Sequence, residues 1–448
     1  MGRNKVKIIA TIGPASDSKK MIELLISNGV NIFRINFSHA GQDYAAKIIR
    51  NINAAKRKLK RNVAVFIDLP GPKIRTGVLS NGKLDIKQGK RYTLGPGCDI
   101  PVSGKVARNI KLTEKVLLSD GKIELKPIKF DGEKLIVKAL NSATLLDRQS
   151  INANGLVYEE SYPTKKDKDA IKFGLKHGVI AFGLSFVSRK EDVLNVRKLT
   201  GKESVLIAKI ERKDAVENFD DIASVSDVIM IARGDLGLNL DVAKVPSIQK
   251  KLIATANRMS KPVITATQML ESMTKDIMPT RAEVDDVFTA ISEGTDAVML
   301  SEETAIGQHP SAAVRMLEHI ISIYKTNNSA VNYPVVDERD ALIDAAVSLI
   351  KKTKIKDIII LSKSGISAFR LSRFHLDIRI FAITDSNAVF CALEFGRSVI
   401  PVLTRKLGRY PTASIKAIHK RGKLEKAILI SGLKTSTRAV EGIRVIKL

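Results

Sequence analysis

The sequence predicts an α/β protein: a closed (β/α)8 barrel with a small β-barrel domain inserted into it and a separate C-terminal α/β domain. Three observations lead there. Eight short, nearly all-apolar runs alternate with helical patterns between residues 6 and 301. One interval, between the third and fourth runs, breaks that rhythm from residue 69 to residue 178. After residue 335 the alternation of strand-like and helix-like segments resumes.

The eight runs are VKIIAT (6–11), VNIFRIN (30–36), VAVFID (63–68), VIAFGLSF (179–186), SVLIAKI (204–210), DVIMIA (227–232), PVITAT (262–267) and DAVMLS (296–301). Runs apolar at nearly every position read as strands covered on both faces, as in a parallel sheet. Eight βα repeats close such a sheet so that no edge is left, which is the TIM barrel architecture. Helix starts are marked by Ser188-Arg-Lys-Glu191 and Thr280-Arg-Ala-Glu283, both with capping-box spacing. Gly29, Gly201 and Gly294 fall where helices should stop. Residues 77–150 are turn-rich and carry short β-like pieces, GKLDIKQGKRYTL, KVLLSDGKIELKPIKF and KLIVKALN. Setting them aside leaves about 250 residues for the barrel, the usual size of one. The expected division is therefore 1–76 and 151–333 for the barrel, 77–150 for the insertion and 334–448 for the last domain. Its strands would be DIIILS (357–362), IRIFAIT (378–384), VIPVL (399–403), AILIS (427–431) and IRVIKL (443–448).

Composition narrows the function. Hydrophobic content of 44% is ordinary for a globular chain with a large core. Cys98 and Cys391 lie far apart and make no zinc or redox spacing. No apolar run approaches the roughly 18 residues of a membrane span, and Lys5 and Lys7 interrupt the first one. A cytoplasmic protein without a membrane partner is expected. The net charge of +27 draws anions to the surface. Part of it sits in RNINAAKRKLKR (50–61), six basic residues without an acid. That run contains no aromatic residue, so base stacking has no support there, and it reads as a solvated helix face rather than a nucleic-acid site. Neither GxxxxGK[ST] nor HExxH occurs, and in GPGCDIPVSGK (95–105) no Ser or Thr follows the lysine.

Barrel enzymes place their chemistry at the C-terminal ends of the strands. Those ends carry Arg34, Asn36 and Ser38; Asp68, Lys73 and Arg75; Ser185; Lys209 and Glu211; Arg233, Gly234 and Asp235; Thr267; and Ser301 with Glu303. After the third run, LPGPK (69–73) sets two prolines around a glycine, a turn with little freedom. Glu211 and Asp235 offer hard oxygen donors suited to Mg²⁺ or Mn²⁺. The surrounding cations call for an anionic, phosphorylated substrate. Metal, ammonium and guanidinium together, with no evident nucleophile, fit phosphoryl transfer, in which the protein positions groups and offsets charge. Two other readings stay open at this point. A metal-dependent barrel lyase or aldolase would share Glu211 and Asp235 without needing Arg34, Lys73 or Arg75. A nucleic-acid-binding protein rests on charge alone.

The stretches VKIIATIGPAS (6–16), NIFRINFSH (31–39), GPKIRTG (71–77), AKIER (208–212), IARGDLG (231–237), ITATQMLESM (264–273), PTRAEVDDV (279–287) and MLSEETA (299–305) resemble pyruvate kinases in order and spacing, over essentially the whole chain. The resemblance implies transfer of the phosphoryl group of phosphoenolpyruvate to ADP. Lys209, Thr267, Arg34 and Ser301 would be catalytic, Lys209 neutralising the phosphoryl group in flight and Thr267 with Ser301 relaying the proton. Glu211 and Asp235 would hold Mg²⁺ (or Mn²⁺), with a second ion arriving on the nucleotide. The Gly234 and Asp235 amides with Thr267 would seat the substrate carboxylate, beside Arg34 and Ser185. Arg34, Arg75, Asn36 and His39 would meet the nucleotide. The insertion would be a lid, with Asp120 in its LSDG motif. Asn36, Ser38, Asp68 and Leu69 correspond to a K⁺ site, but Leu69 replaces a threonine and Lys73 an acid. This pattern resembles the branch that does without K⁺: the Lys73 ammonium would take the ion's place and pair with Asp68. Ser362, Lys363, Ser364, Gly365 and Ser367 match the loop that holds a phosphorylated effector in relatives, and a homotetramer is implied. Arg148 and Gln149 stand where the family often has a nucleotide-contacting lysine; Pro70 replaces another lysine, and Glu302 a small residue.

Overall fold

Burial on both faces turns the eight apolar runs into parallel strands. In the computed structural model, which describes residues 5–112, 115–119, 121–153, 162–324, 333–407, 412–422, 424–434 and 439–448, they are β1 (Lys7–Ile12), β2 (Ile32–Asn36), β3 (Ala64–Asp68), β4 (Ala181–Leu184), β5 (Val205–Ile210), β6 (Val228–Ala232), β7 (Val263–Ala266) and β8 (Ala297–Leu300). Each pairs in parallel with its sequence neighbours, and β1 closes on β8. Outward-facing residues such as Ile8, Phe33, Ile67 and Leu206 pack under the helices. Inward ones, among them Ile9, Phe66, Ile207 and Met230, fill the barrel.

Local signals fix the helices. Thr280 and Glu283 form the expected capping box before Arg281–Glu293, and Gly294 ends that helix in the left-handed region at φ +105°. The box expected from Ser188 and Glu191 is displaced by one residue. Asp192, not Glu191, accepts from Ser188 N, Ser188 Oγ and Arg189 N at 2.9–3.1 Å. The shorter aspartate reaches back to these amides, so the helix starts at Lys190. A third box, Thr164 with Asp167, opens Lys165–Lys176.

The insertion contains a two-stranded ladder (Lys83–Ile86 with Ala143–Leu146) and a six-stranded sheet. Both contribute to one core, Ile86 and Leu145 from the ladder meeting Leu94, Val116, Leu125 and Val137 from the sheet. Main-chain bonds from the segment after the first ladder strand, Gly89 N to Ala139 O and Ala139 N to Lys90 O at 2.9 Å each, tie the two together. The sheet's last strand, Ile151–Ala153, pairs with Val116–Leu118 and runs past residue 150. The connections into and out of the insertion run side by side: Thr76 N donates to Gln149 O (2.8 Å), Arg148 N to Gly77 O (3.1 Å) and Ile151 N to Ile74 O (3.1 Å).

The C-terminal domain is a five-stranded sheet, parallel except for the antiparallel pair Lys426–Lys434 and Ala439–Lys447. It closes the barrel's N-terminal end. Phe395 is fully buried among the first residues of the barrel strands, with its ring centroid 6.3 Å from that of Phe66.

Candidate active site

The C-terminal ends of β3 and β5 bring a carboxylate and an ammonium together inside the barrel mouth. Lys209 Nζ lies 3.2 Å from Asp68 Oδ1 and 2.8 Å from Glu211 Oε1, and donates to Ser185 Oγ at 2.6 Å. Arg34 reaches the same Asp68 from β2, with Nη2 at 2.6 Å and Nε at 2.7 Å from Oδ2, and its Nη1 donates to Thr11 Oγ1. Lys209, Asp68 and Glu211 are 7%, 1% and 0% exposed. Charges so deeply buried persist only when paired, and these pair with one another.

Their protonation follows from that pairing. Burial alone would raise Asp68, but Lys209 and Arg34 outweigh it and hold the carboxyl below its usual range. Burial would lower Lys209, but Asp68 and Glu211 outweigh it and the ammonium is held above its ordinary value. Glu211 goes the other way: burial, then the charge of Asp235, lift it to about 7 against the pull of Lys209. A divalent cation between Glu211 and Asp235 would relieve that strain. Among the described residues no group of three or more His, Cys, Asp or Glu stands ready to hold a metal alone. Two carboxylates fit Mg²⁺, which keeps most of its sites for water and substrate oxygens.

β6 and β7 supply the opposite wall. Arg233–Asn239 forms a short helix directly after β6, and Gly234 N donates to Thr267 Oγ1 at 2.8 Å. Asn239 Nδ2 donates to the carbonyls of Glu211 and Asp235, tying both metal candidates to one side chain. Thr267 and Gln268 have φ of +70° and +54°. A β-branched residue there is strained, at a cost of about 1–3 kcal/mol, and such strain gathers at functional sites. Ser301 Oγ is buried without a hydrogen-bond partner, while its amide donates to the buried Glu303 at 2.7 Å.

The proline turn is pinned as its sequence suggested, by a residue the sequence reading missed. Asp167 accepts from Gly71 N at 2.9 Å; its position in the Thr164 capping box was the available signal. Gly71 sits at φ +66°, and a Cβ there would lie 2.8 Å from Ser185 O. Leu69 is buried, and its amide donates to Gly183 O. Asn36 Oδ1 accepts from Ser38 N, and Ser38 and His39 are exposed above it. Asp68, expected to pair with Lys73, has its oxygens engaged by Arg34, Lys209 and Ser185; the two cations lie deeper in the same mouth. Arg75 is exposed at the junction with the insertion and donates to Arg148 O at 2.9 Å. Gln149 is occupied in the same junction, its amide donating to Thr76 Oγ1. Asp120 lies outside the described residues. In the 362–367 loop, Ser362 Oγ is committed internally to Gly365 N at 2.8 Å, with Lys363 and Ser364 exposed. The basic run is partly absorbed by the fold: Lys58 pairs with Glu23, Arg61 donates to Ile26 O, and Lys56 is half-buried near Glu394.

Models of known families decide the relationship. Residues 3–314 match the barrel domain of pyruvate kinase, and residues 340–445 match its α/β domain. The chain belongs to the pyruvate kinase family. It is 36% identical to a pyruvate kinase of Thermotoga maritima, over 98% of this chain and 99% of that one. It is 38% identical to one of Thermococcus litoralis, over 89% and 88%. A crystal structure of a pyruvate kinase from Cryptosporidium parvum superposes with a TM-score of 0.90 at 29% identity, covering 99% of this chain and 96% of the other. The pyruvate kinase fold accounts for all three domains, and the chain is a transferase of the kinase class. No helix among the described residues is long and apolar enough to cross a membrane.

Proposed function

We propose that the chain transfers the phosphoryl group of phosphoenolpyruvate to ADP, giving pyruvate and ATP, with the residues gathered at the barrel mouth. The observation that carries this reading is Lys209: a buried ammonium held between Asp68 and Glu211 with Ser185 against it. Such a charge is fixed in place before substrate arrives, so no reorganisation is needed as negative charge migrates. Arg34 shares Asp68 with Lys209, so an incoming phosphate can take over part of the guanidinium's fork. Glu211 and Asp235 hold the divalent cation, Mg²⁺ or Mn²⁺. When bound, it supplies Lewis-acid charge to the substrate's oxygens. The Gly234 and Asp235 amides and the Thr267 hydroxyl seat the substrate carboxylate, and Thr267 with Ser301 passes the proton to the enolate. The unpartnered Ser301 Oγ supports that role. Arg75, Asn36 and His39 meet the nucleotide, which brings the second metal ion.

Lys73 serves in place of K⁺. Leu69, a buried apolar side chain where a cation ligand would stand, supports this. The insertion closes as a lid about the paired segments at 74–77 and 148–151, excluding water from the transfer. The exposed Ile277, Met278 and Ile306, on loops linked by Gln308 N to Thr274 O, support assembly with further copies, as a homotetramer. The enzyme works in the cytoplasm.

The test is an assay of purified protein with phosphoenolpyruvate, ADP and Mg²⁺, run beside Lys209→Met. Pyruvate formation that depends on ADP and disappears in the variant supports the reading. Pyruvate formed equally well without ADP would favour the lyase alternative instead.

A further inference from the structure

Arg233 stands at the end of β6, immediately before Gly234, yet its side chain reaches away from the metal candidates. Its Nη2 donates to Thr267 O at 2.7 Å and to Gln268 O at 3.0 Å, and lies 2.9 Å from Met269 Sδ. Its Nε adds a second bond to Thr267 O at 3.2 Å. Nη1 is anchored on Asp286, 2.6 Å away on the helix Arg281–Glu293. The side chain is 9% exposed.

Two successive residues in the left-handed region turn their carbonyls out of the strand ladder, where they need donors. The planar fork of a guanidinium can serve both carbonyls and an anchoring carboxylate at once; the single point charge of a lysine cannot. Thr267 is thus clasped from two sides, its hydroxyl by Gly234 N and its carbonyl by the side chain of the preceding residue. One arginine thereby couples the β6 end to the β7 end.

We infer that Arg233, anchored by Asp286, is a positioning residue that holds the strained Thr267–Gln268 turn, and with it the Thr267 hydroxyl, in register with Gly234 and Asp235. This inference rests on the reading that Thr267 touches substrate. Arg233 touches no reacting atom itself. Its effect belongs in turnover and in the KM for phosphoenolpyruvate, not in the KM for ADP.

The experiment is a double-mutant cycle on the full chain with Arg233→Lys, Asp286→Asn and Thr267→Ala, in steady-state kinetics with Mg²⁺. Thermal melting confirms that each variant is folded. R233K keeps the charge and loses the fork; it should lower kcat by about 10- to 100-fold, the scale of an ångström's misplacement. The KM for ADP should stay within about twofold, since a positioning loss at Thr267 removes no uniform nucleotide binding. D286N should show the same pattern, more weakly. In the T267A background, R233K should cost less than about threefold, because residues acting as a unit are not additive. Equal fold losses from R233K with and without Thr267 would overturn the inference, as would R233K turnover at the parental level. Should R233K fail to fold, the D286N and T267A pair reads the same coupling and is decided by the same two outcomes. Parental turnover in T267A alone would instead overturn the reading of Thr267 itself, a result distinct from additivity.

Discussion

The two ends of the barrel both bury charge, but they satisfy it differently. At the N-terminal end the partners are largely backbone. Lys7 Nζ donates to Val399 O at 2.5 Å, Arg397 Nη1 to Ile291 O at 3.1 Å, and Asp296 accepts from Val263 N and Arg397 N at 2.9 Å each. At the mouth the partners are mostly other side chains: Lys209, Asp68, Glu211 and Arg34 meet one another, with one main-chain bond, Phe186 N to Glu211 Oε2 at 2.7 Å. A charge capped by main chain cannot change partners without unfolding its element. A charge capped by another side chain can release it to a substrate or a metal. The exchangeable ionic partners therefore stand at the end where the chemistry is proposed, while the C-terminal domain locks the other.

The strongest way to break this comparison is to remove one cation from each end. Lys209→Met should lower turnover by about 10²- to 10³-fold, the range for losing one preorganised electrostatic partner, while leaving the chain folded. Arg397→Met should do the reverse. It removes the buried guanidinium's hydrogen bond to Ile291 O and should cost about 1–3 kcal/mol of folding stability, with turnover per folded molecule within about twofold of the parent. Chemical denaturation beside steady-state kinetics reads both. If Arg397→Met abolished turnover in a fully folded protein, the division of labour would be wrong.

Next in size is the metal. Glu211→Gln keeps the shape of the side chain and removes its charge. Binding of Mn²⁺, followed by electron paramagnetic resonance without nucleotide, should weaken about 10- to 100-fold, in line with the pairing of hard cations with ionised oxygen donors. Unchanged Mn²⁺ affinity would take Glu211 out of the ligand set.

The locked end has its own pH signature. Burial, then the charge of Arg397, push His375 down to about 3 from an ordinary 6.5. Between those values the unfolded chain binds the proton and the folded one does not. Stability therefore falls as pH drops through 6.5 toward 3, by up to about 1.4 kcal/mol per unit from this group. His375→Gln should flatten that limb by the share of one proton, measured as unfolding free energy at pH 6 and pH 5. An unaltered slope would mean that His375 titrates normally in the folded protein.

How much of this was legible beforehand depended on the range of the forces involved. The barrel was readable because parallel strands covered on both faces must be apolar nearly throughout, and VIMIA in β6 is entirely so. The strand-end site was readable because topology alone gathers those ends. What escaped were contacts made across the barrel. Nothing in the spacing of Arg233, Thr267 and Asp286 announces that one guanidinium spans them. The Ser188 box was misplaced by one residue because Glu191 and Asp192 both fit a capping pattern, and only the backbone decides between them. Asp68 was assigned to its sequence neighbour Lys73, yet in the folded chain it meets Lys209, 141 residues away. Long-range ion pairing leaves no local trace.

The smallest expected effect sharpens the comparison most. If exchangeable side-chain partners define the mouth, a fixed ammonium can stand there in place of a mobile monovalent cation. The Leu69 side chain offers no oxygen, and it is buried. Lys73 is carried on a turn whose Gly71 amide is fastened to Asp167 and whose own amide donates to Gly71 O at 2.9 Å. Turnover with Na⁺ or Tris as the only monovalent cation should therefore stay within about twofold of that with K⁺, since a preorganised charge needs no ion to complete it. Lys73→Glu should reverse this, restoring an acid beside the phosphate site and making activity respond to K⁺. Collapse of the parent enzyme without K⁺, with recovery on its addition, would assign the monovalent charge to an ion after all.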